Sequence, residues 1–184
     1  MRRHWIDTLR ALFAPTAQST AVAPARVLLT AQCVANLHLG LQATLRRRHE
    51  GVAYLLGRTD GLVTLAVAVF VPDARTTPGS FDVPPSAMAA VIAAAAEHEL
   101  QVVAQVHTHP QMAYHSDGDI DGAKIRYPGF VSIVLPDYGA RLPTLSGMAA
   151  YLWRDQIGWT ELSDNDLIII EGAIPWTPGN ILQP

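Results

Sequence analysis

The sequence predicts an α+β domain of mixed α/β order: a single domain with one curved sheet flanked by helices, and a short helical extension at its N-terminus. Three observations predict it. Short β-branched and aliphatic runs alternate with two long stretches of helical spacing. Several of the runs are joined by hairpin turns. The chain has 184 residues, of which 49% are hydrophobic, which suits one domain with a complete core. No internal repeat divides it.

Residues 1–25 read as an appendage. Trp5, Leu9, Leu12 and Phe13 fall at helical spacing, and the following PTAQSTAVAP is small, polar and bounded by Pro, as a linker is. Arg2 and Arg3 would suit a secretory leader, but Asp7 and Arg10 interrupt the apolar segment that a leader needs. The domain with its C-terminal tail then occupies 26–184. Residues 27–29 suit a strand, and Thr30 or Gln32 can open a helix through Val34, Leu37, Leu39, Leu41 and Leu45. Arg46 to Arg48 place cations where a helix leaves its carbonyls exposed. GVAYLLGR, the turn Thr59-Asp60-Gly61 and LVTLAVAVFV form a hairpin. Residues 72–85, rich in Pro and Gly, read as a long loop, a kind often functional. Pro84, Pro85 and Ser86 introduce an alanine-rich helix that can lie close on a sheet.

Residues 101–106 form the next strand, which leads into VHTHPQMAYHSDGDID, where metal-binding and acid–base residue types crowd together. His107 and His109 stand at i and i+2, so a strand projects both imidazoles from one face. Pro110 removes a ladder donor, and the chain returns through His115 to Ser116 and Asp119. That return can set a carboxylate beside the imidazoles. Two His and one carboxylate are a recurring ligand set for a catalytic zinc with its fourth position open. An ordinary His is a surface or hydrogen-bonded residue, but an apolar strand gains nothing structurally from ending in two adjacent imidazoles. His115 is out of step with the pair and is expected outside the ligand set. Ser116 can cap a helix running through Ile120 and Ile125 to Tyr127. After Pro128-Gly129 come a buried strand, FVSIVLP, a flexible stretch at 137–146, and a hairpin of residues 148–153 and 158–161; the tail contains LIII at 167–170.

Several function classes are excluded by totals. With 13 basic and 16 acidic residues the chain has no global basic field, so no nucleic-acid partner is expected. No apolar run approaches the ~20 residues of a membrane span. The lone cysteine, Cys33, cannot form an internal disulfide and reads as a buried, unreactive thiol in a cytoplasmic protein.

The residues Glu50, His107-Thr108-His109-Pro110 and Ser116-Asp117-Gly118-Asp119 resemble the signature of the JAB/MPN (JAMM) zinc metalloprotease family: an upstream Glu, an H-x-H-P strand end and an S-x-x-D helix. Ala53 and Gly57 after the Glu, and FVSIVLPDYG at 130–139, are similar too. The resemblance spans residues 26–161. One departure is the His109-to-Asp119 spacing, one residue shorter than in most members, as a loop deletion before Ser116 would make it. Ser116 and Asp119 still share a helical face, and Asp117 and Asp121 stand as alternative ligands.

The resemblance implies zinc held by His107, His109 and Asp119, with Glu50 as general base. It implies Ser116 as donor to the developing oxyanion, a role compatible with capping because a hydroxyl both donates and accepts. The implied activity is that of an (iso)peptidase acting after the C-terminal tail of a ubiquitin-like protein, in precursor maturation or deconjugation. Among bacterial relatives the chain looks most like those encoded beside ubiquitin-like activating and conjugating enzymes, in operons linked to phage defence, and these enzymes are then candidate partners. A sulfur-carrier protein or a small amide is the alternative substrate. A metal-free scaffold, which some members of the fold have become, is the alternative class. Residues 72–85 and 137–146 occupy places similar to the family's two substrate-facing insertions, so Phe81 or Tyr138 is expected beside the tail.

Overall fold

The computed structural model describes residues 26–171, so the expected N-terminal helix and linker, and the end of the tail, lie outside the described residues. Strand β1 (Arg26–Thr30) runs directly into helix α1 (Ala31–Arg47), because the Thr30 hydroxyl accepts from the Cys33 N–H at 3.1 Å and caps it. Cys33, Val34, Leu37 and Leu41 form one buried stripe. The helix ends at Arg48, whose left-handed backbone turns its N–H onto the Thr44 and Leu45 carbonyls. Cys33 is buried as expected, and burial pushes its thiol up to about 11.

Strands β2 (Val52–Thr59) and β3 (Val63–Phe70) form the expected hairpin, closed by Asp60, whose side chain accepts from the N–H groups of Leu62 and Val63. The β2–β3 register shifts between Leu56 and Gly57. At Gly57 a Cβ would stand 1.8 Å from the Leu65 carbonyl oxygen, so any side chain must push two central strands apart. Gly57→Ala is expected to cost roughly 3 kcal/mol, read as a lower urea midpoint at unchanged slope.

Residues 72–85 are not the irregular loop expected. They fold into a separate two-stranded hairpin, β4 (Arg75–Thr77) and β5 (Ser80–Asp82). The Thr77 and Ser80 hydroxyls meet at 2.8 Å across its turn, and Arg75 pairs with Asp82 at its base. Helix α2 (Pro85–Glu97) starts at a Pro that needs no N–H there and buries Ala87, Val91 and Ala95 at four-residue spacing. Strand β6 (Gln101–Thr108) runs two residues further than expected, so His107 lies within it.

Helix α3 (Asp117–Gly122) is shorter than the helix to Tyr127 read from the sequence. The Arg126 guanidinium turns back onto the Ile120 and Asp121 carbonyls, Ile125 packs into the core, and the Tyr127 hydroxyl donates to the Val102 carbonyl. Those tertiary partners outcompete further helix. Strands β7 (Val131–Leu135), β8 (Ala149–Arg154), β9 (Gly158–Glu161) and β10 (Leu167–Ile170) complete the described chain.

Eight strands form one mixed sheet in the order β10-β1-β3-β2-β6-β7-β8-β9. Helix α1 covers one face over Leu29, Leu55, Val103 and Ile133, while α2 covers the other over Tyr54, Leu56 and Val102. LIII becomes an edge strand parallel to β1, with Asp166 just before it bonded to Arg26 at 2.8 Å. The stretch 137–146, expected to be flexible, is a series of tight turns that buries Tyr138, Gly139 and Leu142. Among the described residues no helix is long and apolar enough to cross a membrane.

Candidate metal centre

Strand β6 ends between β2 and β7, where His107 pairs with Val52 on one side and Val134 on the other. Its side chain is 0% exposed. One residue on, the Thr108 N–H donates to the Gly51 carbonyl at 3.0 Å, and the Thr108 hydroxyl accepts from the Gly51 N–H at 2.8 Å. This reciprocal pair fastens the start of β2 to the end of β6. The preceding Glu50 donates its N–H to the Thr77 carbonyl of β4 at 2.8 Å. Glu50 is therefore held from both sides and buried, 7% exposed. Burial raises its carboxyl above the ordinary range, with His109 opposing and Asp119 adding to the shift.

His109 leaves the strand but keeps a sheet-like bond, its N–H donating to the Leu135 carbonyl at 2.9 Å. Its own carbonyl accepts from the Tyr138 N–H at 2.7 Å, and the Asp137 N–H donates to the Gln111 carbonyl at 3.0 Å. Asp137 and Tyr138 both adopt positive φ, 54° and 58°, a costly conformation for residues with a Cβ. Two adjacent N–H groups thereby hold the turn after the His pair.

Asp119 arrives from α3. Its Oδ1 lies 3.1 Å from His107 Nε2 and its Oδ2 lies 3.3 Å from His109 Nε2. Ser116 forms a capping box with it: the Ser116 N–H and hydroxyl donate to Asp119 Oδ2 at 2.8 and 2.6 Å, and the Asp119 N–H returns to the Ser116 oxygen at 3.2 Å. Burial opposes ionisation of Asp119, but the two imidazoles and Ser116 prevail and hold its carboxyl far below the usual range. For His109 the Asp119 contact outweighs burial and raises its pKa. The short spacing between His109 and Asp119 thus leaves the carboxylate in reach of both rings.

His107, His109 and Asp119 are the group among the described residues whose donor atoms lie within 4.8 Å of one another; Asp117 and Asp121 are exposed and outside it. Both ring nitrogens of His107 are buried, and neither makes a well-formed hydrogen bond; Nε2 has the Asp119 carboxylate beside it at 3.1 Å. Burial of an imidazole without a formed hydrogen bond is costly, and a bound metal would satisfy this donor set. The three donor atoms lie close enough together for one small ion to reach all of them. The residues fit a divalent ion.

His115 stays outside this group, as expected, and has another task. Its ring stacks on Tyr151 at 4.1 Å between centroids, meets Trp159 edge-on, and contacts Ser132 Oγ through Nε2 at 2.8 Å. Burial first, then the neighbouring His107, lowers its pKa to about 4. An unfolded His titrates near ~6.5, so between those values the unfolded chain takes up more protons. His115 stability is thus complete above pH ~6.5 and is lost as pH falls toward 4. Glu50 acts in the opposite sense over part of this window, so the test compares two proteins. Chelator-treated wild type should lose on the order of 2 kcal/mol more than His115→Phe between pH 6.5 and 4 in urea unfolding.

Glu50, His109, Ser116 and Asp119 open together into a cleft of about 720 Å³, which also receives Phe81 from β5 and Tyr114 from the loop after the His pair. Thr108 and Tyr114 carried no signal in the sequence, because nothing in their spacing shows the partner segments they meet.

The chain is similar to known proteins in sequence and in fold. The chain is 26% identical over 140 residues to a protein named probable metalloprotease y4jG from Sinorhizobium fredii, covering 74% of this chain and 86% of that one. Its fold is similar to the solution structure of protein DSY2949 from Desulfitobacterium hafniense, with a TM-score of 0.62 at 17% identity over 79% of this chain and 94% of that one. The family described as prokaryotic homologs of the JAB domain matches residues 34–142, more than half of the chain, a span that contains Glu50, His107, His109, Ser116 and Asp119. On that match, with its His-x-His strand end and capped aspartate in place, the chain belongs to the prokaryotic homologs of the JAB domain.

Proposed function

We propose that the chain is a zinc-dependent (iso)peptidase that hydrolyses the bond after the C-terminal tail of a ubiquitin-like protein, in a bacterial conjugation system of the kind linked to phage defence. The observation that carries the reading is the cluster of buried His107 with His109 and Asp119, their donor atoms within 4.8 Å of one another, with buried Glu50 in the adjoining cleft. The name of the Sinorhizobium relative supports a metalloprotease. Two imidazoles and one carboxylate favour zinc among the common hydrolytic ions. When bound, the ion would supply Lewis-acid chemistry, polarising a carbonyl and acidifying water.

The protein groups do the rest. Glu50, a better base for its burial, takes the proton of the attacking water and returns it to the departing amine. The Ser116 hydroxyl now donates to Asp119; turning from it toward the substrate would supply the oxyanion donor, worth roughly 3 kcal/mol in such sites. The Ser116 N–H keeps Asp119 oriented throughout.

The hairpin β4–β5 supports an extended substrate, because it lines the cleft through residues 79–82 and can pair with a tail by main-chain bonds. Tyr138 does not serve as the apolar contact expected of it: it is buried, and its hydroxyl donates to the Pro78 carbonyl, which braces the hairpin turn. A ubiquitin-like protein fused to a C-terminal extension tests the proposal. Zinc-loaded protein should cut the fusion after the tail, lose that activity to a chelator and regain it with zinc. An intact fusion after incubation with zinc-loaded protein would contradict the substrate assignment.

A further inference from the structure

The loop between the His pair and Ser116 presents two large apolar side chains to solvent at the cleft. Met112 is 74% exposed and Tyr114 51%. The loop carrying them is fastened at both ends. The Gln111 carbonyl accepts from the Asp137 N–H at 3.0 Å, and the His115 N–H donates to the Tyr151 hydroxyl at 3.2 Å. Tyr114 meets the His109 ring edge-on at 5.0 Å, while Phe81 of β5 lies 5.3 Å from the His107 ring. Each imidazole of the metal centre is thus flanked by an aromatic ring that lines the cleft.

Scattered exposed apolar residues are ordinary, but here two line one cleft together with half-buried Phe81 and with Pro110. The other part of the cleft is polar. There Lys124 donates to the Val83 carbonyl, and the Tyr54 hydroxyl donates to Gln105 Oε1 at 3.4 Å. An extended backbone needs hydrogen-bonding groups, whereas an apolar side chain laid on the Met112 thioether chain and the face of the Tyr114 ring gains by leaving water. Tyr gives a rigid wall at little entropic cost, and Met adapts its shape to the group it meets.

We propose that Met112 and Tyr114, together with Phe81, form a subsite for one large apolar side chain next to the bond that is cut. The subsite rests on the peptidase reading and adds a specificity to it. A peptide with Leu, Met or Phe at that position is its ligand, and one with Ser or Asp is discriminated against.

The test uses the zinc-loaded full chain and the ubiquitin-like fusion, made with Leu, Phe, Ser or Asp at the residue following the cut bond and, separately, at the residue preceding it. At one of the two positions, kcat/KM should be at least about tenfold higher for Leu and Phe than for Ser and Asp. Met112→Ser/Tyr114→Ser should erase that preference through KM, at unchanged zinc content. Equal kcat/KM for all fusions, or a preference that survives in the double variant, would overturn the subsite while leaving the peptidase reading standing. If no fusion is cut, the peptidase reading fails and the subsite falls with it.

Discussion

Glu50→Gln is expected to lower turnover of the fusion by at least ~10²-fold, the usual contribution of a general base, while zinc content and fold stay as in wild type. The amide matches the carboxylate in shape. The backbone bond from Glu50 to the Thr77 carbonyl does not involve the side chain, so the segment stays in place. What is lost is the proton acceptor, whose basicity burial has raised. Turnover on the fusion and metal content on the same preparation check this together. A variant that loses zinc would make Glu50 a ligand and reassign the whole site.

Removal of the metal should destabilise the protein by mass action. At free zinc a hundredfold above its dissociation constant, binding adds about 2.7 kcal/mol to the folded state. For a domain of this size each kcal/mol moves the midpoint by ~2–4 °C, so chelation should lower Tm on the order of 8 °C. His109→Ala should start near the chelated value and respond little to chelator, since Asp119 and His107 alone leave the ligand set incomplete. A variant that gains stability from zinc as wild type does would place the ion elsewhere. Differential scanning fluorimetry with and without chelator reads both proteins.

Parts of the site were legible because they follow local rules. The i and i+2 spacing at a strand end brings His107 and His109 side by side, although β6 itself stops at Thr108, and Ser116 was readable as the cap of the helix that carries Asp119. Glu50 was legible only through the family pattern. Its neighbour Gly51 meets Thr108, 57 residues away, and no periodicity reports a contact of that range. The hairpin β4–β5 was hidden by its prolines, which mark breaks in a strand but here flank one; Pro78 sits between the two strands and offers its carbonyl to Tyr138. Helix α3 was overextended because helical spacing continues past Gly122, while Arg126, Ile125 and Tyr127 take tertiary partners. LIII could not be placed because its partner is a parallel strand at the far end of the sequence. Met112 and Tyr114 looked like ordinary loop residues, since exposure at a cleft is a property of the folded chain alone.

The central claim is that His107, His109 and Asp119 hold one catalytic ion, and calorimetric titration of zinc into chelator-stripped protein tests it most directly. Wild type should bind one zinc per chain, with proton release on binding as His109, whose pKa Asp119 raises, gives up its proton. Asp119→Ala should keep the fold by circular dichroism and lose that binding. Equal stoichiometry and affinity in wild type and Asp119→Ala, or no zinc bound by a folded wild type, would contradict it.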